Sequence, residues 1–101
     1  MSKAIEASTR RPIMRLIDVL GKRWSLRIMW ELKDQRMTFR ELRTKCDDVS
    51  PNSLNSRLKE LRLLNLLDHN SEGYGYTKWG HELGEQLVDL NDWSKEWGQS
   101  L

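Results

Sequence analysis

Apolar residues recur along this chain at helical spacing, with one short interruption near residue 70. Ile13, Leu16, Ile17 and Leu20 fall on one helical face. Pro12 suits a first helical position and Gly21 a stop, so the spacing predicts a helix from about Pro12 to Leu20. Leu26, Ile28, Met29, Trp30 and Leu32 make the next helix, about Ser25 to Lys33, apolar on most sides. That pattern predicts the central buried helix. Asp34, Gln35 and Arg36 read as a loop. Thr38 and Glu41 then have the T-x-x-E spacing of a capping box, which opens a third helix with Phe39 and Leu42 as its core residues. It ends near Cys46, and Asp47, Asp48 and Val49 make a short turn.

The strongest local signal follows. Ser50 is a good N-cap and Pro51 a good first residue, and Leu54, Leu58 and Leu61 then repeat at i, i+4 and i+7. Asn65 can take the left-handed position that ends a helix. Two extended segments, about Leu66 to Asn70 and Tyr74 to Thr77, flank a turn at Ser71, Glu72 and Gly73. Thr77 caps a last helix to about Trp97, with Leu83, Leu87, Leu90 and Trp97 on one stripe. The fold class is mainly α with a small β-hairpin. Two short helices joined by a tight turn and followed by a hairpin make a winged helix-turn-helix, here one domain over residues 1–101.

In that arrangement the helix after the turn enters the DNA major groove, which is about 12 Å wide and shows each base pair as a distinct donor and acceptor set. Ser50, Asn52, Ser53, Asn55, Ser56 and Lys59 lie largely off the leucine face, with Arg57 at its flank. These are the candidate base contacts. Asparagine can bond adenine with both amide atoms, and Arg and Lys can reach guanine. Asn and Ser are also poor helix formers, so their concentration here carries a cost. Thr38 and Arg40 at the preceding helix, Lys22 and Arg23 before the second, and Lys78 after the hairpin are candidate phosphate contacts. The hairpin tip is short and holds Glu72, so it is expected near the backbone with little specificity.

Charge distribution sharpens this reading. The whole chain has 101 residues and a net charge of only +2. Residues 1–62 hold 15 Lys and Arg against 8 Asp and Glu, while residues 63–101 hold 2 against 7. A basic face for a polyanion and an acidic C-terminal segment are the implied division. Composition, with 38% hydrophobic and 32% charged residues, is that of a folded chain rather than a disordered one. No apolar run approaches the roughly 20 residues that span a bilayer, and the first eleven residues have no apolar signal core. A lone cysteine points to a reducing cytoplasm.

Three segments resemble the HxlR-type regulators, a branch of the MarR-like winged-helix superfamily. They are "LIDVLGKRWSLRIMWEL", "MTFRELRTKCDDVSPNSLNSRLKEL" and "LLNLLDHNSEGYGYTKWG", in which Tyr74, Thr77 and Gly80 match the Y-x-L-T-x-x-G segment. The resemblance spans about Pro12 to Trp97. It implies a dimeric DNA-binding regulator whose first and last helices form the interface, with Ser50, Asn52, Ser53, Ser56 and Arg57 at recognition positions and Arg40 at a backbone position. Ile13, Leu16, Leu83, Leu87, Leu90, Trp93 and Trp97 are the expected dimer residues. Many members carry a cysteine just before the proline of the first helix. Arg11 stands there in this chain, and the hairpin is shorter than usual.

Other chemistry is thinly represented. Cys46 precedes two aspartates, whose charge raises a thiol pKa, and reads as an inert small residue. Trp24, Trp30 and Trp79 are expected in the core, and Trp93 and Trp97 in the dimer seam. A small-molecule effector pocket at that seam has no dedicated signal. His69 and His81 lack ligand-spaced partners, so no metal is expected, and neither a cofactor motif nor a catalytic constellation is present. The rival to a DNA-binding regulator is a winged helix used as a protein-interaction module.

Overall fold

A computed structural model describes residues 11–101. The first ten residues, part of the stretch read for a secretory signal, lie outside the described residues. Five helices and one hairpin follow in the expected order: α1 (Pro12–Leu20), α2 (Ser25–Glu31), α3 (Phe39–Lys45), α4 (Pro51–Leu63), β1 (Leu67–Asn70), β2 (Gly73–Tyr76) and α5 (Lys78–Gln99).

The core is built from α2, α3 and α4. Ile28, Met29, Leu42, Leu54, Leu58 and Leu61 are all 0–1% exposed. Burying a leucine contributes roughly 1.5–3 kcal/mol. Three of them on α4 outweigh the several tenths of a kcal/mol that each Asn or Ser costs that helix. The amphipathic prediction for α1 resolves into two faces. Leu16, Val19 and Leu20 pack against the core, whereas Ile13 and Ile17 face outward. The last helix divides likewise, with Leu83 and Leu87 on the core and Leu90, Trp93 and Trp97 exposed.

Three expectations need correction. Trp79 is not a core residue but is 53% exposed, because the first turn of α5 points it outward, where the Lys78 ammonium lies 5.2 Å from its ring. Leu26 on α2 is also exposed, since that side of the helix opens onto a cleft shared with Leu87 and Leu90 rather than onto a packed layer. Gly73 belongs to the ladder, not to the turn. Asn70 pairs with Gly73, leaving Ser71 and Glu72 as the loop, and the Asn70 side chain accepts the Glu72 N–H at 2.8 Å.

The hairpin is stapled to the rest through Met37. Met37 and Tyr74 exchange two backbone bonds, at 3.0 and 2.7 Å, as an isolated antiparallel bridge. Gly73 sits against this bridge with φ 111°, and an added Cβ would lie 2.3 Å from the Met37 carbonyl oxygen. Tyr76 donates its hydroxyl to the Met29 carbonyl, tying β2 to α2. Burial, with a smaller push from Asp34, raises that phenol to about 12.

One ion-pair cluster joins the loop before α2 to α4. Glu60 accepts from Lys22 and, at 2.6 Å, from Arg57. Burial pushes the Glu60 carboxyl up, but the bonds from Lys22 and Arg57 together outweigh it and leave it below its ordinary value. In the α3 capping box, the Thr38 backbone N–H and hydroxyl hold the Glu41 carboxyl down as well.

Two tests follow from these contacts. Gly73→Ala should lower stability by about 1–3 kcal/mol in chemical denaturation, through left-handed strain and backbone overlap. Gly98→Ala, whose Cβ meets nothing within 4 Å, should change it by less than about 1 kcal/mol and in the stabilising direction. For Glu41 and Glu60 the folded carboxyls lie below 4.5, so their contribution is complete above that pH and is lost as pH falls through the lower folded value. Denaturation midpoints of Glu60→Gln should therefore fall less between about pH 5 and about pH 3 than those of the wild type.

Candidate nucleic-acid interface

The turn between α3 and α4 sets the direction of the helix that follows it. Asp47 and Asp48 both adopt left-handed backbone, at φ 58° and 56°, a conformation that aspartate tolerates better than most residues. Their amides close back on the Thr44 and Arg43 carbonyls at 3.2 and 3.0 Å. Arg43 then reaches forward to the Val49 carbonyl at 2.8 Å, and Arg27 of α2 donates to the Lys45 carbonyl at 2.6 Å and pairs with Asp47 at 3.4 Å. Cys46 and Val49 are buried beneath the turn. Burial pushes the Cys46 thiol up despite the nearby Arg27 cation, which fits a packing residue rather than a reactive thiolate.

Ser50 and Pro51 then launch α4. The Ser50 hydroxyl accepts the Ser53 amide at 3.2 Å and donates to the Ser53 hydroxyl at 2.9 Å. Both serines are thus engaged in the cap, although Ser50 remains exposed. With Leu54, Leu58 and Leu61 facing inward, Asn52, Asn55, Ser56 and Lys59 stand exposed on the opposite side. This stripe is about 10 Å long at 1.5 Å per residue. It offers amide donors and acceptors, a hydroxyl and a cation to whatever lies against it. Arg57 is more constrained than its sequence position suggests. Its Nε is committed to Glu60, leaving the two terminal nitrogens of the fork for any other partner.

The candidate phosphate contacts divide by location. Thr38 and Arg40 mark the start of α3; the Thr38 hydroxyl is occupied by the cap and Arg40 is exposed. Lys22 and Arg23 lie in the loop before α2, with Lys22 bound to Glu60 and Arg23 5.5 Å from the Trp24 ring. Trp24 itself is left-handed at φ 79°, a strained conformation for a bulky residue that no sequence signal announced. Lys78 follows Thr77, whose hydroxyl bonds the Asn65 carbonyl beyond the end of α4. It therefore sits at the opposite end of α4 from Asn52, roughly 20 Å along a 13-residue helix.

Sequence reading passed over Arg62. It is exposed and lies three residues beyond Lys59, so the polar stripe continues into the last turn of α4. The i, i+3 spacing from Lys59 was the available signal. Among the described residues no cluster of three His, Cys, Asp or Glu side chains could hold a metal ion, and no helix is long and apolar enough to cross a membrane.

Comparison with known proteins agrees with this geometry. The sequence model of the HxlR-like helix-turn-helix family matches residues 19–101. An uncharacterised helix-turn-helix transcriptional regulator of Methanocaldococcus jannaschii is 29% identical over 91 residues, covering 86% of each chain. The regulator YvaP of Bacillus subtilis, also uncharacterised, is 28% identical over 88 residues, covering 80% of this chain and 82% of YvaP. Among solved structures, quinone-bound YodB from B. subtilis superposes with a TM-score of 0.75 at 26% identity, over 83% of this chain and 96% of YodB. A possible HxlR family transcriptional factor from Thermoplasma volcanium gives 0.76 at 22% identity, over 89% and 87% of the two chains, a likeness of fold. The polar face of α4, the turn that aims it and the stapled hairpin are thus the parts of a winged helix-turn-helix, and the chain belongs to the HxlR-like family of DNA-binding transcriptional regulators.

Proposed function

We propose that this protein binds an imperfect inverted repeat in duplex DNA as a homodimer, with the α4 helices of the two copies in successive major grooves about 34 Å apart. The carrying observation is the exposed Asn52, Asn55, Ser56 and Lys59 stripe, set opposite three fully buried leucines. Asn52 and Asn55 read base edges, and Ser56 and Lys59 adapt to neighbouring positions. Ser50 and Ser53 contribute through what their cap leaves free, and Arg57 through its terminal nitrogens. Thr38, Arg40, Lys22, Arg23 and Lys78 serve phosphates, of which exposed Arg40 beside the α3 N-terminus is best supported.

The dimer reading rests on apolar surface that one copy leaves uncovered. Ile13, Leu90, Trp93 and Trp97 are each at least half exposed, and the Trp93 and Trp97 rings stack on one another with centroids 5.8 Å apart. Leu16, Leu83 and Leu87, the other expected interface residues, are partly buried against the core. Aromatic residues favour the centres of interfaces. The protein acts as one unit over residues 1–101, in the cytoplasm where its DNA lies.

Titration of a mixed-sequence duplex against rising salt should show affinity falling steeply, because phosphate contacts release counterions. Arg40→Ala should weaken binding to all sequences alike and reduce that slope by about 1. Asn52→Ala should instead relax preference at particular base pairs, by about 1–3 kcal/mol, when bound sequences are selected from a random pool. An unchanged preferred sequence would remove Asn52 from the readout. Sedimentation of Trp93→Ala and Trp97→Ala should show weakened self-association; unchanged association would place the interface elsewhere.

A further inference from the structure

The groove between the C-terminal half of α4 and β1 is lined by Lys59, Arg62, Leu63, Leu67, Asp68 and His69 and encloses about 420 Å³. Lys59 and Arg62 are exposed there, on the same side of α4 as Asn52 and Asn55. The one acid in the lining, Asp68, is occupied. Arg36 donates to its carboxylate and, at 3.1 Å, to the Gly73 carbonyl. Because Arg36 enters from the loop before α3, it neutralises Asp68 without drawing on either cation of the groove. His69 projects from β1 with its ring stacked on Tyr74, centroids 4.2 Å apart and planes 17° from parallel. That stacking fixes the ring plane, and Tyr74 is in turn fixed by its bridge to Met37.

We infer that Arg62 and His69 form a phosphate clamp, which holds the DNA backbone at the rim of the groove that α4 reads, with Lys59 marking where the clamp meets the base-reading stripe. This rests on the DNA-binding reading above and adds a location to it. Thirteen helical residues span about 20 Å, and the major groove is about 12 Å across. With the N-terminal turns of α4 inserted, its last turn reaches the rim, where phosphates run. A guanidinium and an imidazole N–H meet there on two different elements, and the one carboxylate of the lining, Asp68, is paired with Arg36. The hairpin then contributes through His69 on β1 rather than through the Ser71–Glu72 tip, where Glu72 would repel phosphate.

The test uses the whole protein and a fluorescein-labelled duplex, selected by the wild type from a random pool, beside a scrambled duplex. Arg62→Ala should lower affinity about tenfold on both and make the salt slope shallower by about 1. Arg62→Lys should keep the slope, because it keeps the charge. His69→Ala should weaken both duplexes alike. Asp68→Asn should strengthen binding, as it leaves the Arg36 cation uncompensated beside the phosphate path. Unchanged affinity and slope for Arg62→Ala, while Asn52→Ala still alters the selected sequence, would overturn the clamp and leave the regulator reading intact. A wild type that shows no salt-dependent duplex binding would overturn both.

Discussion

Burial of one leucine stripe orders the rest of this molecule. Leu54, Leu58 and Leu61 are sealed in the core that α2 and α3 also line, and that burial decides which side of α4 meets solvent. A helix has one inward face, and once apolar area is committed there the opposite face is fixed by geometry. The polar stripe owes its exposure to residues that never approach DNA. The same contact explains why an asparagine- and serine-rich helix persists, since its weak propensity is offset by tertiary packing.

Direction is set separately, by the turn before α4. Two consecutive left-handed aspartates reverse the chain in a few residues, and two arginines hold the turn through carbonyls at 2.6 and 2.8 Å. One of these arginines comes from α2, so the turn is anchored to the same helix that supports the leucines. Packing and aim are therefore coupled through α2. Its short length, seven residues, is compensated by contacts on several sides rather than by helical stability of its own.

Much of this was legible in the sequence because it rests on local chemistry. The Thr38–Glu41 capping box, the Ser50–Pro51 start and the left-handed Asn65 each depend on a few adjacent residues, and each is found where the spacing placed it. The α4 stripe was legible for the same reason. What escaped depends on contacts between residues far apart in the chain. No local pattern indicates that Met37 bridges Tyr74, that Glu60 engages Arg57 together with Lys22, or that Trp24 takes a left-handed conformation. Trp79 misled because apolar identity alone says nothing about which side of a first turn faces the core. The helical period of α1 and α5 located their stripes but not the division of each stripe between the core and open surface.

The Met37–Tyr74 bridge has a mechanical consequence. It joins the hairpin to the chain immediately ahead of the α3 capping box, one residue before Thr38. Gly73 allows the two backbones to approach closely enough for that union. Leverage applied at the hairpin would therefore be delivered to the front of α3 instead of being lost in a loose loop. A force that tilts one would tilt the other, so the protein's grip on its target would tighten or slacken across the whole footprint together.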